Sequence, residues 1–375
     1  MANNTEVTVQ IFSGGFNGES VSFDIVEQKL LSVLDRLPVT KVIMGWLPDK
    51  KLYEKTSKLL KKRDIGFYLW FPVFSETGAL KDLEPLVDLN GNRLERIEEN
   101  KSEDFFFCCP DNKENIKKIL EIFTENFSSL EKNCFNGVFL DKIRYPSFAN
   151  SRGSRGVYSC FCPECLASYK KFNFNAEKFK LALSGERHFD IAEYSGNGKY
   201  LFKDAVLSDF FKIKLEIIYE SLSFICDFFR ERKYGIGFDV FAPFLAPFTG
   251  QDVIRLSSLC DFIKPMMYRV TNAPAGLPFE TDALTRHTGN KIINKNMYNL
   301  DFCVKEIKKL NDVSSCPVYA GIEINRVDDI TPVTPFYIEE TISAYLKEGI
   351  HRFALSWNLL DMPDDNIEKA AQTLC

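Results

Sequence analysis

Eight short apolar runs recur along the chain, and amphipathic segments separate them. Short, nearly continuous apolar runs are typical of the buried strands of a parallel sheet. The runs are Val7–Phe12, Lys41–Leu47, Gly66–Phe71, Phe135–Pro146, Tyr234–Pro243, Phe262–Tyr268, Pro317–Asn325 and Arg352–Leu360. Segments such as Lys113–Phe127 and Asp209–Lys233 carry apolar residues three and four positions apart, which predicts helices that bury one face.

Eight predicted strands that alternate with helices favour an α/β fold of the (β/α)8 TIM-barrel type. The rhythm runs from end to end without a Pro/Ser-rich linker, so we expect residues 1–375 to form a single barrel domain. Long insertions follow strand 3 (residues 75–112) and strand 4 (residues 147–204), where they would form walls of a substrate cleft on the catalytic face. The alternative is disorder in parts of them, such as Ser147–Gly156 and Ser195–Lys199.

The composition narrows the set of partners. The 375 residues are 45% hydrophobic and 26% charged, as in an ordinary globular protein with a large core. The net charge of -5 argues against nucleic-acid binding, which needs a basic face. No apolar stretch is long enough for a membrane span, and no signal peptide is visible. With eleven scattered cysteines, these features favour a cytoplasmic protein unless a leader has been removed; oligomeric state is not indicated.

Three predicted strands carry one acid each in an otherwise apolar run. These acids are Asp141 on strand 4, Asp239 on strand 5 and Glu323 on strand 7. Paired carboxylates across a cleft are the machinery of glycoside hydrolysis. Because strands 4 and 7 face each other across a barrel, we expect Asp141 and Glu323 to be the catalytic pair. Glu323 would have a raised pKa and act as the acid, Asp141 near Arg144 would stay ionised, and Asp239 is the substitute. Alternatively, such acids pair with arginines or cap helices.

Aromatic residues cluster at the same predicted strand ends. Trp46, Trp70 and Trp357 fall at or near the ends of strands 2, 3 and 8, and Tyr268 ends strand 6. Flat aromatic surfaces stack against sugar rings, so we expect these four residues to bind carbohydrate, with Asn358 and Arg144 contacting substrate as well. The alternative is that they are large core residues.

Cysteines form a C-x-C-x2-C pattern in the insertion after strand 4. Cys160, Cys162 and Cys165, with one thiolate from Cys108 or Cys109, could form a four-sulfur structural zinc site that ties the two insertions together. The alternative is a set of reduced, packed cysteines. No cofactor for catalysis is expected, because the three histidines, His188, His287 and His351, are isolated and no nucleotide-binding motif occurs.

The segment Asn136–Pro146, NGVFLDKIRYP, resembles the G-V-x-L-D-x-x-R-(Y/F)-P signature of glycoside-hydrolase-like TIM-barrel proteins. In these proteins a cysteine cluster like CFCPEC follows strand 4, and a segment like FFFCCPDN precedes helix 3. DVFAPFLAPFTGQDVIRLSSLCDFIKPMMYR is similar to their strand 5 to strand 6 region. The resemblance extends from Gly66 to Trp357 and implies carbohydrate hydrolysis, with Asp141 and Arg144 at the positions of the signature Asp and Arg. Lys142 stands where an aromatic or small residue is common.

Two other functions remain open from the sequence. A lysine buried on strand 6, Lys264, could attack a carbonyl as the nucleophile of a Schiff-base lyase or aldolase. A non-catalytic carbohydrate-binding barrel would keep the tryptophans and tolerate loss of the acids.

Overall fold

The structure is a computed structural model that describes residues 5–14, 21–95, 105–127, 129–130, 133–150, 152–184 and 189–375. Eight parallel strands close into a barrel, in the spatial order β1-β8-β7-β6-β5-β4-β3-β2. Their bounds are β1 Glu6–Phe12, β2 Val39–Gly45, β3 Gly66–Pro72, β4 Gly137–Asp141, β5 Gly235–Phe241, β6 Phe262–Met266, β7 Ala320–Glu323 and β8 Arg352–Ser356. The predicted (β/α)8 barrel with long insertions after strands 3 and 4 is therefore confirmed.

Helices follow the strands. They are α1 Phe23–Leu34, α2 Lys50–Lys61, α3 Lys113–Phe127, α4 Gly153–Val157, α5 Pro163–Lys171, α6 Ala176–Leu183, α7 Ala205–Glu231, α8 Val253–Leu256, α9 Leu277–Thr288, α10 Leu300–Val313, α11 Pro335–Lys347 and α12 Asp364–Leu374. Three of them, α4, α5 and α6, lie in the insertion after β4. Several begin at a side chain that accepts a hydrogen bond from a free backbone N–H, such as Asp49 at α2 and Asn299 at α10. Among the described residues, no helix combines the length and the apolar character needed to cross a membrane.

Aromatic rings fill the lower part of the barrel. Phe139 and Phe262 stack with ring centroids 5.8 Å apart, and Tyr68 and Tyr319 contact Phe262 by their edges. Gly237 makes room for this stack, because a Cβ atom there would lie 2.2 Å from Cζ of Phe262. The space for a ligand is therefore at the upper end of the barrel, where the strands have their carboxyl ends.

The two insertions meet above this end of the barrel. The backbone N–H of Phe161, in the insertion after β4, donates to the carbonyl of Val87, in the insertion after β3 (2.9 Å). Arg155 adds an ion pair to the buried Asp88 at 2.6 Å. A small hairpin, Ile191–Tyr194 with Tyr200–Phe202, completes the second insertion, and residues 195–199 form its turn.

Candidate active site

A cavity of about 340 Å³ opens at the carboxyl ends of the strands. Its charged lining residues are Asp141, Lys142, Arg144 and Asp239. Its aromatic lining residues are Phe12, Trp46, Trp70, Phe105, Tyr268 and Trp357. A groove of about 890 Å³ lies between α3 and α7, and none of its lining residues belongs to a strand. The cavity at the strand ends is the candidate site, because there the fold gathers side chains from several strands.

Asp141 is the last residue of β4 and is held by donors on two sides. Its Oδ2 accepts a hydrogen bond from Nε1 of Trp70 at 3.1 Å, and its Oδ1 accepts one from the backbone N–H of Lys142 at 2.5 Å. The ammonium of Lys142 lies 3.7 Å from Oδ2. Its side chain is only 8% exposed, and the carboxylate has the charge-assisted partners that a buried anion needs.

Two cations border the cavity next to Asp141. Lys142 has a left-handed backbone (φ 53°), and its ammonium lies 3.8 Å from the centroid of the Phe105 ring. Burial lowers the pKa of Lys142, although the charge of Asp141 opposes this. The guanidinium of Arg144 lies 4.8 Å from the ring of Phe107 and 4.2 Å from that of Phe241. These ring contacts orient both cations.

Asp239 on β5 forms a buried ion pair with Lys264, its register partner on β6. Each carboxylate oxygen lies 3.0 Å from Nζ of Lys264, and the same ammonium donates to Oε1 of Gln10 (3.1 Å) and to the hydroxyl of Tyr268 (2.6 Å). Burial raises the pKa of Asp239 to about 6; the ammonium opposes the shift and the nearby charge of Asp141 adds to it. The carboxyl group can therefore hold a proton in mildly acidic solution.

Asp141 and Asp239 occupy neighbouring strands at one level of the barrel. Leu140 pairs with Phe238 in the sheet, so the acids that follow them lie side by side and both line the cavity. One carboxyl group is surrounded by hydrogen-bond donors, and the other has a pKa raised by burial. Two carboxyl groups in such different environments can divide the acid and base roles of a reaction.

Glu323, the expected partner of Asp141, does not line this cavity. Its Oε1 accepts a hydrogen bond from the backbone N–H of Val270 (2.7 Å), in the connection after β6. Burial raises the pKa of Glu323, as the sequence analysis expected, while Val270 N–H and the charge of Arg269 oppose the rise. The physical reason for its position is that β7 ends at Glu323, where the backbone of the connection after β6 donates a hydrogen bond to the carboxylate. Asp239, predicted as the substitute, is the acid that shares the cavity with Asp141.

The structure brings all three tryptophans to the cavity. The rings of Trp46 and Trp70 meet at 74° with centroids 5.6 Å apart, and Phe12 contacts Trp46 at 4.4 Å. Trp357 follows a cis peptide bond after β8 and lines the cavity together with Tyr268. The cavity therefore offers aromatic faces and edges beside its two acids.

Two other expected residues have structural contacts. Asn358 is not a lining residue: its Oδ1 accepts from the backbone N–H of Phe12 (3.0 Å), and its Nδ2 donates to Asp361 (2.7 Å). Lys264 also lies below the lining, and although burial acts to lower its pKa, Asp239 and Tyr268 raise it overall. A Schiff base requires a neutral amine, so this ion pair does not favour the lyase reading of Lys264.

Sequence reasoning missed two contributors to the site. Phe105 forms part of the cavity wall because the first insertion folds back over the barrel, and nothing in the local pattern signals this. Glu280 on α9 is buried, and its pKa is raised by burial while the charge of Arg144 opposes the rise. Acids are common in the first turn of a helix, so the sequence does not indicate that Glu280 interacts with the charge of Arg144.

The cysteine cluster is the remaining group of possible ligands. The Sγ atoms of Cys109, Cys160, Cys162 and Cys165 all lie within 4.8 Å of one another and are buried. His287 packs against the ring of Phe148 with centroids 6.0 Å apart. His188 lies outside the described residues.

Comparison with known proteins gives the fold a context. No protein-family model and no curated protein sequence matches the chain. Among solved structures, the PgaB (BpsB) glycoside hydrolase domain from Bordetella bronchiseptica matches with a TM-score of 0.60 and 12% identity, over 97% of this chain and 95% of that chain. Alpha-L-fucosidase isoenzyme 2 from Paenibacillus thiaminolyticus matches with a TM-score of 0.54 and 10% identity, over 99% of this chain and 49% of that chain. At these identities the likeness shows the barrel fold.

Proposed function

We propose that this protein is a glycoside hydrolase that uses Asp141 and Asp239 in the cavity at the carboxyl ends of the strands. The observation that carries the proposal is that two buried acids in different environments line one cavity with three tryptophans. Such acids are the parts that glycosidic-bond cleavage needs, and indole rings suit the apolar faces of sugars. The structural neighbours named above, a glycoside hydrolase domain and a fucosidase, support a glycoside hydrolase function.

The environments of the two acids support different roles in this proposal. Asp239, with its pKa raised to about 6, holds the proton and gives it to the glycosidic oxygen as the bond to the anomeric carbon breaks. Lys264, 3.0 Å away, then stabilises the carboxylate that remains. Asp141 is held by its hydrogen-bond donors, and from this position it attacks the anomeric carbon or activates a water molecule.

The aromatic and cationic residues bind the substrate in this proposal. Trp46 and Trp70 provide one wall, Trp357 and Tyr268 contribute other surfaces, and the sugar lies against them with its reacting bond at the acids. Arg144 orients the substrate by hydrogen bonds to sugar hydroxyl groups. The partner is therefore an oligosaccharide or polysaccharide.

The test is a screen of aryl glycosides and oligosaccharides with three matched carboxyl-to-amide variants. Asp141→Asn and Asp239→Asn are expected to lower kcat by about 10²–10⁴-fold with little change in sugar affinity. Glu323→Gln is the control, because its carboxylate bonds to Val270 outside the cavity; it is expected to keep kcat within a few-fold when folded.

Two results would contradict the proposal. If Glu323→Gln abolishes turnover in a folded protein while Asp239→Asn does not, the expected pairing of Asp141 with Glu323 is correct instead. If the wild-type protein binds a glycan without cleaving any member of the panel, and the amide variants bind it equally well, the barrel is a binding module.

A further inference from the structure

Four cysteines from the two insertions converge on one buried point. Cys109 precedes α3, whereas Cys160, Cys162 and Cys165 follow β4. Sγ of Cys109 lies 3.5 Å from that of Cys162 and 3.4 Å from that of Cys165, and all four Sγ atoms lie within 4.8 Å of one another. None of these four cysteines forms a disulfide bond, so no disulfide accounts for the convergence.

We propose that these four cysteines bind one zinc ion as a structural four-thiolate site, independently of the proposed hydrolase activity. Zinc lies about 2.3 Å from each thiolate in a tetrahedral site, which separates the sulfurs by about 3.8 Å. The observed sulfur separations fit a single ion of this kind. A cluster of several iron ions spreads its four cysteine ligands over different metal atoms and so needs a wider arrangement.

The surroundings of the cluster suit a negatively charged metal site. The backbone N–H of Val87 donates to Sγ of Cys160 at 3.2 Å. Cys162 is the N-cap residue of α5, where no side-chain hydrogen bond caps the helix and the helix dipole favours negative charge. Zinc with four thiolates carries a net charge of -2, and the Val87 N–H and the amino end of α5 stabilise part of that negative charge.

A buried lysine provides an independent observation. Lys214 on α7 has a relative exposure of 0%. Its ammonium donates to the carbonyl of Val157 (2.6 Å) and lies 3.9 Å from the centroid of the Tyr145 ring. The ion pairs among the described residues include none between Lys214 and a carboxylate. Burial lowers the pKa of Lys214 to about 7, and negative charge on Cys165, Cys160 and Cys109 opposes this shift and favours the ammonium. A buried cation needs a counter-charge, and a zinc–thiolate centre supplies one.

The site would fix the wall of the cavity. Cys109 follows Phe107, whose ring contacts Arg144, and Phe105, which lines the cavity. A metal bond from Cys109 to the cysteines after β4 joins this segment to the other insertion. Zinc would therefore stabilise the shape of the candidate active site from outside it.

The experiment measures metal in the full-length protein purified without added metal. Elemental analysis is expected to find about one zinc ion per chain. Cys162→Ser and Cys165→Ser are expected to reduce bound zinc by on the order of tenfold or more. Cys226→Ser is the matched control, since Cys226 is a buried cysteine on α7 outside the cluster, and it should keep its zinc.

A second measurement keeps the test valid if the serine variants do not fold. Cobalt added to wild-type protein stripped of metal is expected to give thiolate-to-cobalt charge-transfer absorption and the intense visible bands of tetrahedral cobalt. The proposal fails if the wild-type protein carries no zinc and shows no cobalt bands, if iron takes its place, or if both serine variants keep full zinc. Asp141→Asn should retain the metal, so failure of the hydrolase proposal is distinguishable.

Discussion

The buried ion pair between Lys264 and Asp239 leads to a prediction about pH dependence. If Asp239 donates the proton, activity falls as pH rises through its pKa of about 6. Lys264→Met removes an ammonium that lies 3.0 Å from both carboxylate oxygens and favours their ionised form. Burial and the charge of Asp141 remain, and both raise the pKa. The alkaline limb of the pH profile is therefore expected to move upward.

The size of the movement follows from the energy of such a pair. Removing one partner of a buried ion pair costs about 3–5 kcal/mol. One pKa unit corresponds to about 1.4 kcal/mol, so the limb is expected to rise by about 2–3.5 units, from near pH 6 to pH 8 or above. Protonation of Asp239 relieves the unpaired charge, which limits the loss of stability at lower pH.

The assay measures kcat/KM from about pH 4 to pH 9 on an aryl glycoside that the wild-type protein cleaves, with the folded fraction followed by circular dichroism. Lys41→Met is the matched control. Lys41 is also an inward-facing lysine paired with an acid, Glu6 at 3.5 Å, but it lies at the amino ends of the strands. Its variant should leave the limb where it is in the wild type.

Three results would refute this reasoning. A wild-type profile that is flat through pH 6 would mean that Asp239 does not supply the proton. A limb that stays in place, or moves downward, in a folded Lys264→Met protein would mean that the ammonium does not set the pKa of Asp239. A loss of activity at every pH without a shift would assign Lys264 a purely structural role.

Three further predictions concern the cavity and the barrel beneath it. Trp70→Phe keeps an aromatic ring but removes the N–H that donates to Asp141 at 3.1 Å. We therefore expect kcat/KM to fall by about tenfold or more, corresponding to about 1.5–3 kcal/mol, while the circular dichroism spectrum is unchanged. An unaltered kcat/KM would contradict the role of this hydrogen bond. Because the folded pKa of Asp239 exceeds the unfolded value, the free energy of unfolding should decrease by about 3 kcal/mol as pH rises from about 4 to above 6, and Asp239→Asn should lose this slope in urea titrations at the two pH values. Gly237→Ala should lower Tm by an amount equivalent to about 1–3 kcal/mol in thermal melts, because its Cβ would lie 2.2 Å from Phe262; a Tm equal to that of the wild type would show that the ring can move aside.

The barrel was predictable because its strands are buried on both faces. Residues 137–141 and 235–241 are buried apolar segments, the first ended and the second interrupted by one acid. This pattern can be recognised from the sequence alone. Parallel closure then places strand ends together, so the meeting of Asp141 with Trp70 and Asp239 at one cavity follows from the order of the strands. The local sequence is sufficient for these features.

The position of Glu323 was not predictable in the same way. Alternation along a strand says which side a residue occupies, but not which backbone donor a neighbouring connection will offer. The N–H of Val270 comes from a connection after β6, and only the folded path of that connection brings it to 2.7 Å from the carboxylate. Likewise, the left-handed backbone of Lys142 that directs its ammonium to Phe105 has no local sequence signal.

The packed rings of Phe139, Phe262 and Tyr319 have a consequence for how a polymer would be processed. Among the described residues they fill the barrel axis, so a glycan strand cannot thread along it and emerge on the far side. A long chain must lie across the entrance or insert one terminus, and the released fragment must leave by the route through which it came.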